Sequence, residues 1–207
     1  MKKPFFSTVM TLTNHEPFEV PGAYKFGKTS NVEAFKSTAY YTDSCINDFL
    51  QQAKKHSWYK NTLFIFIADH GHILPKMTNE VYMPERYHVP MLFYGDVIKP
   101  EYRGKKVEKL GSQIDLAATL MSQLDMDAKQ FTWSKNLMNP YTKAFAFFSW
   151  DNGLGMMTDK QTVSFDNTGK NILLNTNKDN AEQTEETLKQ GKSYLQTVFQ
   201  HFIELQP

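Results

Sequence analysis

The chain has 207 residues, of which 41% are hydrophobic and 22% are charged, a balance typical of a soluble globular protein and not of a disordered, collagen-like or coiled-coil chain. Its 23 Lys and Arg residues nearly match its 22 Asp and Glu residues, and a net charge of +1 provides no global field to attract nucleic acid. The longest strongly apolar run, Leu63–Ala68, is far shorter than the roughly 20 residues of a membrane-spanning helix. A single cysteine, Cys45, excludes an intrachain disulfide.

Strand and helix patterns alternate along the first 130 residues. Phe5–Leu12, rich in aromatic and β-branched residues, predicts a buried strand, and helical spacing of apolar residues predicts a long helix over Asn31–Lys55. Leu63–Ala68 is apolar on both faces, which is typical of a central parallel strand. Val89–Tyr94 predicts a further strand, and Gln113–Leu124 a further helix. This order indicates an α/β fold with a mainly parallel sheet and helices on both of its faces.

The pattern changes after residue 130. Asp166–Gly169 is a typical hairpin turn, and a final amphipathic helix is predicted over Asn180–Leu205. Short strands are predicted at Ala144–Trp150, Gly155–Thr158, Gln161–Phe165 and Asn171–Leu174. We therefore predict two domains, an α/β domain over residues 1–130 and a small antiparallel α+β subdomain over residues 131–207.

Asp69 and His70 are the strongest candidates for chemistry, because they directly follow the apolar strand and precede a glycine, Gly71. In open α/β sheets ligands bind beyond the carboxyl ends of the strands. A carboxylate and an imidazole together can bind a divalent ion such as Mn²⁺, Zn²⁺ or Mg²⁺. His72 is then a residue that supports the metal ligands. The alternative is structural: Asp69 caps the following turn, His70 packs against a neighbour, and His72 is solvated.

A second group of candidates binds substrate. His15 lies in a turn after the first predicted strand, and imidazole, which titrates near neutral pH, can contact an oxyanion or transfer a proton. Arg86 can bind an anionic oxygen with two hydrogen bonds, and His88 can be a further ligand. The alternative for each is a residue that merely flanks a strand or lies in an exposed loop.

The sequence resembles the sulfatase-like, phosphoglycerol-transferase branch of the alkaline phosphatase superfamily, the branch of the lipoteichoic-acid synthases. The matching segments occur in the same order along the chain and extend over roughly residues 5–124. They are Thr11–Phe18 with its Asn-His-x-Pro-Phe motif, a helix containing Tyr41, Asp43 and Phe49, Asn61–Gly71, Val89–Phe93 and Ser112–Leu116.

The resemblance implies an alkaline-phosphatase-like fold and a role for several residues. Asp69 and His70 match the pair that binds the catalytic metal, Mn²⁺ by analogy, with Zn²⁺, Mg²⁺ or Ca²⁺ as alternatives. His15 matches the catalytic histidine that contacts the substrate phosphate. The implied substrate is a phosphate or sulfate ester linked to a lipid or glycan. The implied location is the extracytoplasmic side of a bacterial membrane, with the parent protein anchored by N-terminal transmembrane helices and these residues forming a soluble part.

The family's nucleophile and a further acidic metal ligand are expected upstream of the Asn-His-x-Pro-Phe motif, but only 14 residues precede His15. Cys45 lacks the Cys/Ser-x-Pro-x-Arg context of a sulfatase nucleophile. We therefore expect the C-terminal part of a larger metal-dependent enzyme, inactive without the upstream part of the polypeptide. A sulfatase fragment is the alternative within the superfamily, and a non-catalytic binding module is the alternative of another class.

Overall fold

The computed structural model describes residues 3–76 and 80–206, in which three α-helices and six β-strands form. The helices are α1 (Asn31–Ala53), α2 (Asp115–Gln123) and α3 (Ala181–Glu204). The strands are β1 (Phe64–Ile67), β2 (Met91–Tyr94), β3 (Phe145–Trp150), β4 (Gly153–Thr158), β5 (Thr162–Asp166) and β6 (Asn171–Asn175). Within these described ranges, no helix is both long enough and apolar enough to cross a membrane.

The α/β class and the antiparallel sheet predicted for the second part of the chain are confirmed, since β3 to β6 form an antiparallel sheet in chain order. The parallel direction predicted for the first part is wrong for the one pair described there: β1 and β2 pair antiparallel, with Phe64 opposite Tyr94. A parallel pair needs a crossover of a dozen or more residues, usually a helix. Between β1 and β2, the described residues contain only the short 3₁₀ helix Pro84–Tyr87. The antiparallel pairing therefore agrees with the lack of a crossover helix in the described part of this connection.

The buried strand predicted at Phe5–Leu12 does not form. The segment is without strand pairing in the described structure, and its apolar side chains face solvent, with Phe6 86% and Val9 82% exposed. A strand exists through hydrogen bonds to a neighbour, so β propensity alone does not create one. Phe5 retains a ring contact, edge-on to Trp58 at 6.1 Å between centroids.

The chain divides into two compact units, and the predicted domain boundary after residue 130 stays a prediction. The first unit comprises residues 1–78 and 89–104, and the second comprises residues 79–88 and 105–207. α2 belongs to the second unit because it is bonded to the segment that follows it. The Ala118 N–H donates to the Ser134 hydroxyl at 2.8 Å, and the Leu137 N–H donates to the Thr119 hydroxyl at 2.9 Å.

In the first unit, the start of α1 organises the loop before it. Ser30 caps the helix by accepting the Glu33 N–H at 3.3 Å, and the Glu33 carboxylate in turn accepts the Thr29 N–H at 2.9 Å. The hydrogen bonds from Thr29 lower the pKa of Glu33 below its usual value. This reciprocal cap determines where the loop ends and α1 begins.

In the second unit, α3 packs on β4 and β5 through a buried core in which Leu154 and Val163 are fully buried. Gly191 allows the close approach, because a Cβ there would lie 2.8 Å from Leu154 Cδ1. All four short strands predicted after residue 130 form, with boundaries shifted by a few residues or less. The 166–169 turn and the final helix form as well.

An ion pair joins α2 to the segment that follows it. Asp115 is fully buried, Lys135 is 14% exposed, and their side chains form a salt bridge. The Asp115 carboxylate also accepts the Ser112 N–H at 2.7 Å and the Lys135 N–H at 3.0 Å, while the Lys135 ammonium lies 4.1 Å from the centre of the Phe145 ring. A buried carboxylate with this many donors is fully satisfied only as an anion.

We predict that Asp115→Asn lowers the free energy of unfolding by about 3 kcal/mol, because it leaves the Lys135 charge buried without its partner. Urea denaturation followed by circular dichroism measures the change. Asp127→Asn is the matched control, since its pair with Lys129 is largely exposed and contributes less than about 1 kcal/mol. Equal losses of unfolding free energy in the two variants would contradict the stabilising role of the buried Asp115–Lys135 pair.

Candidate functional site

Asp69 and His70 lie side by side immediately after β1, which ends at Ile67. Both side chains are mostly exposed, 71% for Asp69 and 69% for His70. Asp69 Oδ1 accepts the backbone N–H of His70 at 3.0 Å, and Asp69 Oδ2 lies 3.7 Å from His70 Nε2. The two side chains therefore place one oxygen and one nitrogen close together.

The protonation of His70 follows from its hydrogen bond. His70 Nδ1 lies 2.8 Å from the Gly71 carbonyl oxygen, and a carbonyl only accepts, so Nδ1 carries the proton. In the neutral ring the lone pair is then on Nε2, the arrangement typical of a metal-binding histidine. The 3.7 Å between Nε2 and Asp69 Oδ2 would allow one divalent ion to contact both atoms. These two residues would hold such an ion through one imidazole nitrogen and one carboxylate oxygen.

A third ligand is not found with them. Over residues 3–76 and 80–206, no group of three or more His, Cys, Asp or Glu side chains is arranged to hold a metal ion. The pair therefore provides an incomplete coordination shell among the residues described.

His15 has the same kind of hydrogen bond as His70. Its Nδ1 donates to the Glu16 carbonyl oxygen at 2.8 Å, which leaves the Nε2 lone pair available. Two backbone bonds shape its turn: the His15 N–H donates to Leu12 O, and the Phe18 N–H donates to His15 O, each at 3.0 Å. A shallow cavity of about 330 Å³ adjoins the ring and is lined by Leu12, Thr13, His15, Glu16, Pro17 and Glu19.

Thr42 anchors this turn to α1, and the sequence analysis did not identify it. Its hydroxyl donates to the side-chain oxygen of Asn14 at 2.6 Å. Thr42 lies seven residues, two helical turns, after Phe35, which packs on the same loop through an edge-on contact with Phe18 at 5.6 Å. The spacing of seven residues between Phe35 and Thr42 was the signal in the sequence that could have placed Thr42 on the same face of α1.

His72 has structural contacts. Its ring stacks on Phe35 at 5.0 Å with planes 12° apart and meets the edge of Phe18 at 6.1 Å. Its Nδ1 accepts the Leu74 N–H at 3.0 Å, so its proton is on Nε2, the opposite arrangement to His70. Leu74 and Phe18 are both buried in the same small core. His72 thus joins the segment after His70 to the loop after His15.

Arg86 and His88 belong to the second unit, in and after the 3₁₀ helix Pro84–Tyr87. Tyr87 between them fixes this short helix, since its ring stacks on Phe148 at 4.5 Å and its hydroxyl donates to the Val81 carbonyl at 2.7 Å. Burial raises the pKa of the Tyr87 hydroxyl. The role of Arg86 and His88 in substrate binding stays a prediction.

Comparison with known proteins identifies relatives. The model of the sulfatase family matches residues 1–126. The chain is 25% identical over 147 residues to lipoteichoic acid synthase 1 of Bacillus subtilis, and 26% identical over 144 residues to lipoteichoic acid synthase of Staphylococcus aureus. Each match includes 63% of this chain, and the chain covers only 22% of the length of these relatives.

Solved structures agree with these matches. A protein in the alkaline phosphatase superfamily from Vibrio parahaemolyticus superposes with a TM-score of 0.72 and 25% identity, over 97% of this chain and 50% of that chain. The lipoteichoic acid synthase LtaP from Listeria monocytogenes shares the fold with a TM-score of 0.70 at 14% identity, over 95% of this chain and 53% of that one. The resemblance to this superfamily is confirmed, and the chain belongs to the sulfatase family.

Proposed function

We propose that this chain provides the metal-binding part of a phosphoglycerol transferase or phosphodiesterase. The observation that supports this most directly is the placement of Asp69 and His70 after β1, with His70 Nδ1 donating to a backbone carbonyl and Nε2 lying 3.7 Å from the carboxylate. The similarity to lipoteichoic acid synthases supports a phosphate ester as the substrate class.

The ion in this proposal is Mn²⁺, with Zn²⁺, Mg²⁺ and Ca²⁺ as alternatives, because one carboxylate and one imidazole suit several divalent metals. When bound, such an ion neutralises phosphoryl oxygens and makes a hydroxyl nucleophile more acidic. Asp69 contributes a negative charge and His70 a neutral nitrogen to its coordination. The remaining ligands and the nucleophile would come from polypeptide other than these 207 residues. This is consistent with the superposition on half of the Vibrio chain.

His15 is the proposed catalytic residue of this part. With Nδ1–H held by the Glu16 carbonyl, its Nε2 can accept a hydrogen bond from a protonated phosphate oxygen or take up a proton. Once protonated, Nε2 can donate that proton to the oxygen that leaves. Arg86 and His88 are proposed to bind anionic oxygens, since guanidinium and imidazole both donate to such oxygens.

A sulfuric ester hydrolase is the second candidate, and the match to the sulfatase family model favours it. The same metal pair and His15 serve either ester, because both substrates present anionic oxygens around a tetrahedral centre.

The names of the lipoteichoic acid synthases support a lipid-linked substrate for this proposed function. We therefore propose an active site on the extracytoplasmic side of a bacterial membrane.

We predict that the 207-residue chain binds Mn²⁺ weakly, as a pair of ligands would, and that Asp69→Ala or His70→Ala lowers the affinity at least about tenfold. The electron paramagnetic resonance signal of free Mn²⁺ measures the bound fraction. Asp159→Ala and His56→Ala are the controls, since both change exposed residues outside the site. Binding that survives Asp69→Ala would reject the metal pair and favour the non-catalytic binding module.

We predict that sn-glycerol 3-phosphate binds next to the bound Mn²⁺ and contacts His15. Its ³¹P relaxation rate should rise with the Mn²⁺-loaded chain, and His15→Ala should remove most of that rise while leaving Mn²⁺ binding intact. A sulfate monoester added as competitor compares the two substrate classes. Competition at equal concentration would favour the sulfatase alternative, whereas a weak effect would favour the phosphate ester.

We predict that the chain alone, supplied with Mn²⁺, does not hydrolyse bis(p-nitrophenyl) phosphate faster than its Asp69→Ala variant. Two protein ligands hold the ion weakly and leave it without the nucleophile. The absorbance of the released p-nitrophenol measures the rate. Turnover that depends on Asp69 would show that the chain carries a complete active site.

A further inference from the structure

A second cavity, of about 400 Å³, lies in the second unit between α3 and the segment that follows α2. Five of its six lining side chains are polar, and the sixth is the indole of Trp133. The lining residues are Thr132, Trp133, Thr197, Gln200, His201 and Glu204. None of them has a part in the function proposed above.

The indole of Trp133 is held in one orientation. Its Nε1–H donates to His201 Nδ1 at 2.8 Å, and the ring meets Tyr194 edge-on at 5.3 Å between centroids. Tyr194 is itself packed on Phe147 of β3 at 4.7 Å. A half-buried aromatic surface held by these two contacts loses little conformational freedom when a ligand packs against it.

The same hydrogen bond determines what His201 offers to a ligand. Indole nitrogen only donates, so His201 Nδ1 must be the acceptor and the neutral ring carries its proton on Nε2. His201 therefore contributes one N–H donor through its second nitrogen.

The α3 side of the cavity is rich in acceptors. The Thr197 hydroxyl donates to the Ser193 carbonyl at 2.8 Å, which leaves its oxygen lone pairs available. Gln200 Nε2 donates to Glu204 Oε1 at 2.8 Å, so the Gln200 carbonyl oxygen and the second carboxylate oxygen of Glu204 remain as acceptors.

We propose that this cavity binds a glycosyl unit. A sugar has hydroxyl groups that both donate and accept, which matches the N–H donors of His201 and Gln200 and several acceptors, and it has an apolar C–H face that can pack on an indole. The Glu204 charge and the excess of acceptors disfavour an anion, and the polar lining disfavours an aliphatic ligand. A free monosaccharide and a glycosyl unit within a glycan share this chemistry.

The test uses the three indole N–H signals of the full ¹⁵N-labelled chain, from Trp58, Trp133 and Trp150. On titration with glucose, the Trp133 signal should shift and saturate with a dissociation constant on the order of millimolar, as expected for a shallow site. The signals of Trp58 and Trp150 should stay in place and act as internal references. Trp133→Phe assigns the signal by removing it.

Variants test whether the shift of the Trp133 signal comes from binding in the cavity. Gln200→Ala and Thr197→Val each remove one acceptor and should weaken glucose binding by about five-fold, whereas Gln196→Ala on the same helix, outside the cavity, should leave it unchanged. A second titration with maltotriose distinguishes a free monosaccharide from a glycan as the ligand. Tighter binding of maltotriose than of glucose indicates a glycan, and equal binding of the two indicates that a single glycosyl unit is recognised. Equal shifts of all three indole signals, no saturation, or equal effects of Gln200→Ala and Gln196→Ala would overturn the proposal.

Discussion

The arrangement of the candidate site depends on a three-ring contact. His72 stacks on Phe35 of α1, and Phe18 meets the edges of both rings. Phe18 follows the turn that holds His15, and His72 follows Asp69 and His70, so one face of α1 positions both turns. Phe18 is 2% exposed and adopts a left-handed backbone conformation, with φ of 59°, which a bulky residue rarely adopts without tight packing. The loops of the site are thus positioned by packing against a helix, although their own side chains face solvent.

Local hydrogen bonds then decide the chemistry of each imidazole. His15 and His70 both donate from Nδ1 to a carbonyl one residue ahead, and each leaves its Nε2 lone pair available. His72 accepts at Nδ1 from the Leu74 N–H and has the opposite protonation. Of these three histidines in the first unit, two therefore donate from Nδ1 and one accepts there. His201 in the second unit resembles His72 because its Nδ1 also accepts a hydrogen bond, here from the indole N–H of Trp133.

The second unit is stabilised in a different way. Its boundary follows the buried Asp115–Lys135 pair and the hydrogen bonds between α2 and residues 134–137, and these contacts join residues that the composition change at residue 130 would separate. A composition change indicates a difference in secondary structure, whereas a compact unit is defined by contacts between distant residues. The buried carboxylate could not be identified from sequence, because Asp115 at the start of a helix is equally typical of an exposed cap.

The sequence by itself determined the helices α1 and α3, strands β1 to β6 within a few residues, the place of Asp69 and His70 after β1, and the family. These follow from local periodicity and from an ordered set of short motifs, both of which are written in neighbouring residues. Only the tertiary structure decided the antiparallel pairing of β1 with β2, the exposed state of residues 5–12, and the stacking of His72 on Phe35. Each of these depends on which distant group lies opposite, a hydrogen-bonding strand or a stacking ring, and no local pattern encodes that choice.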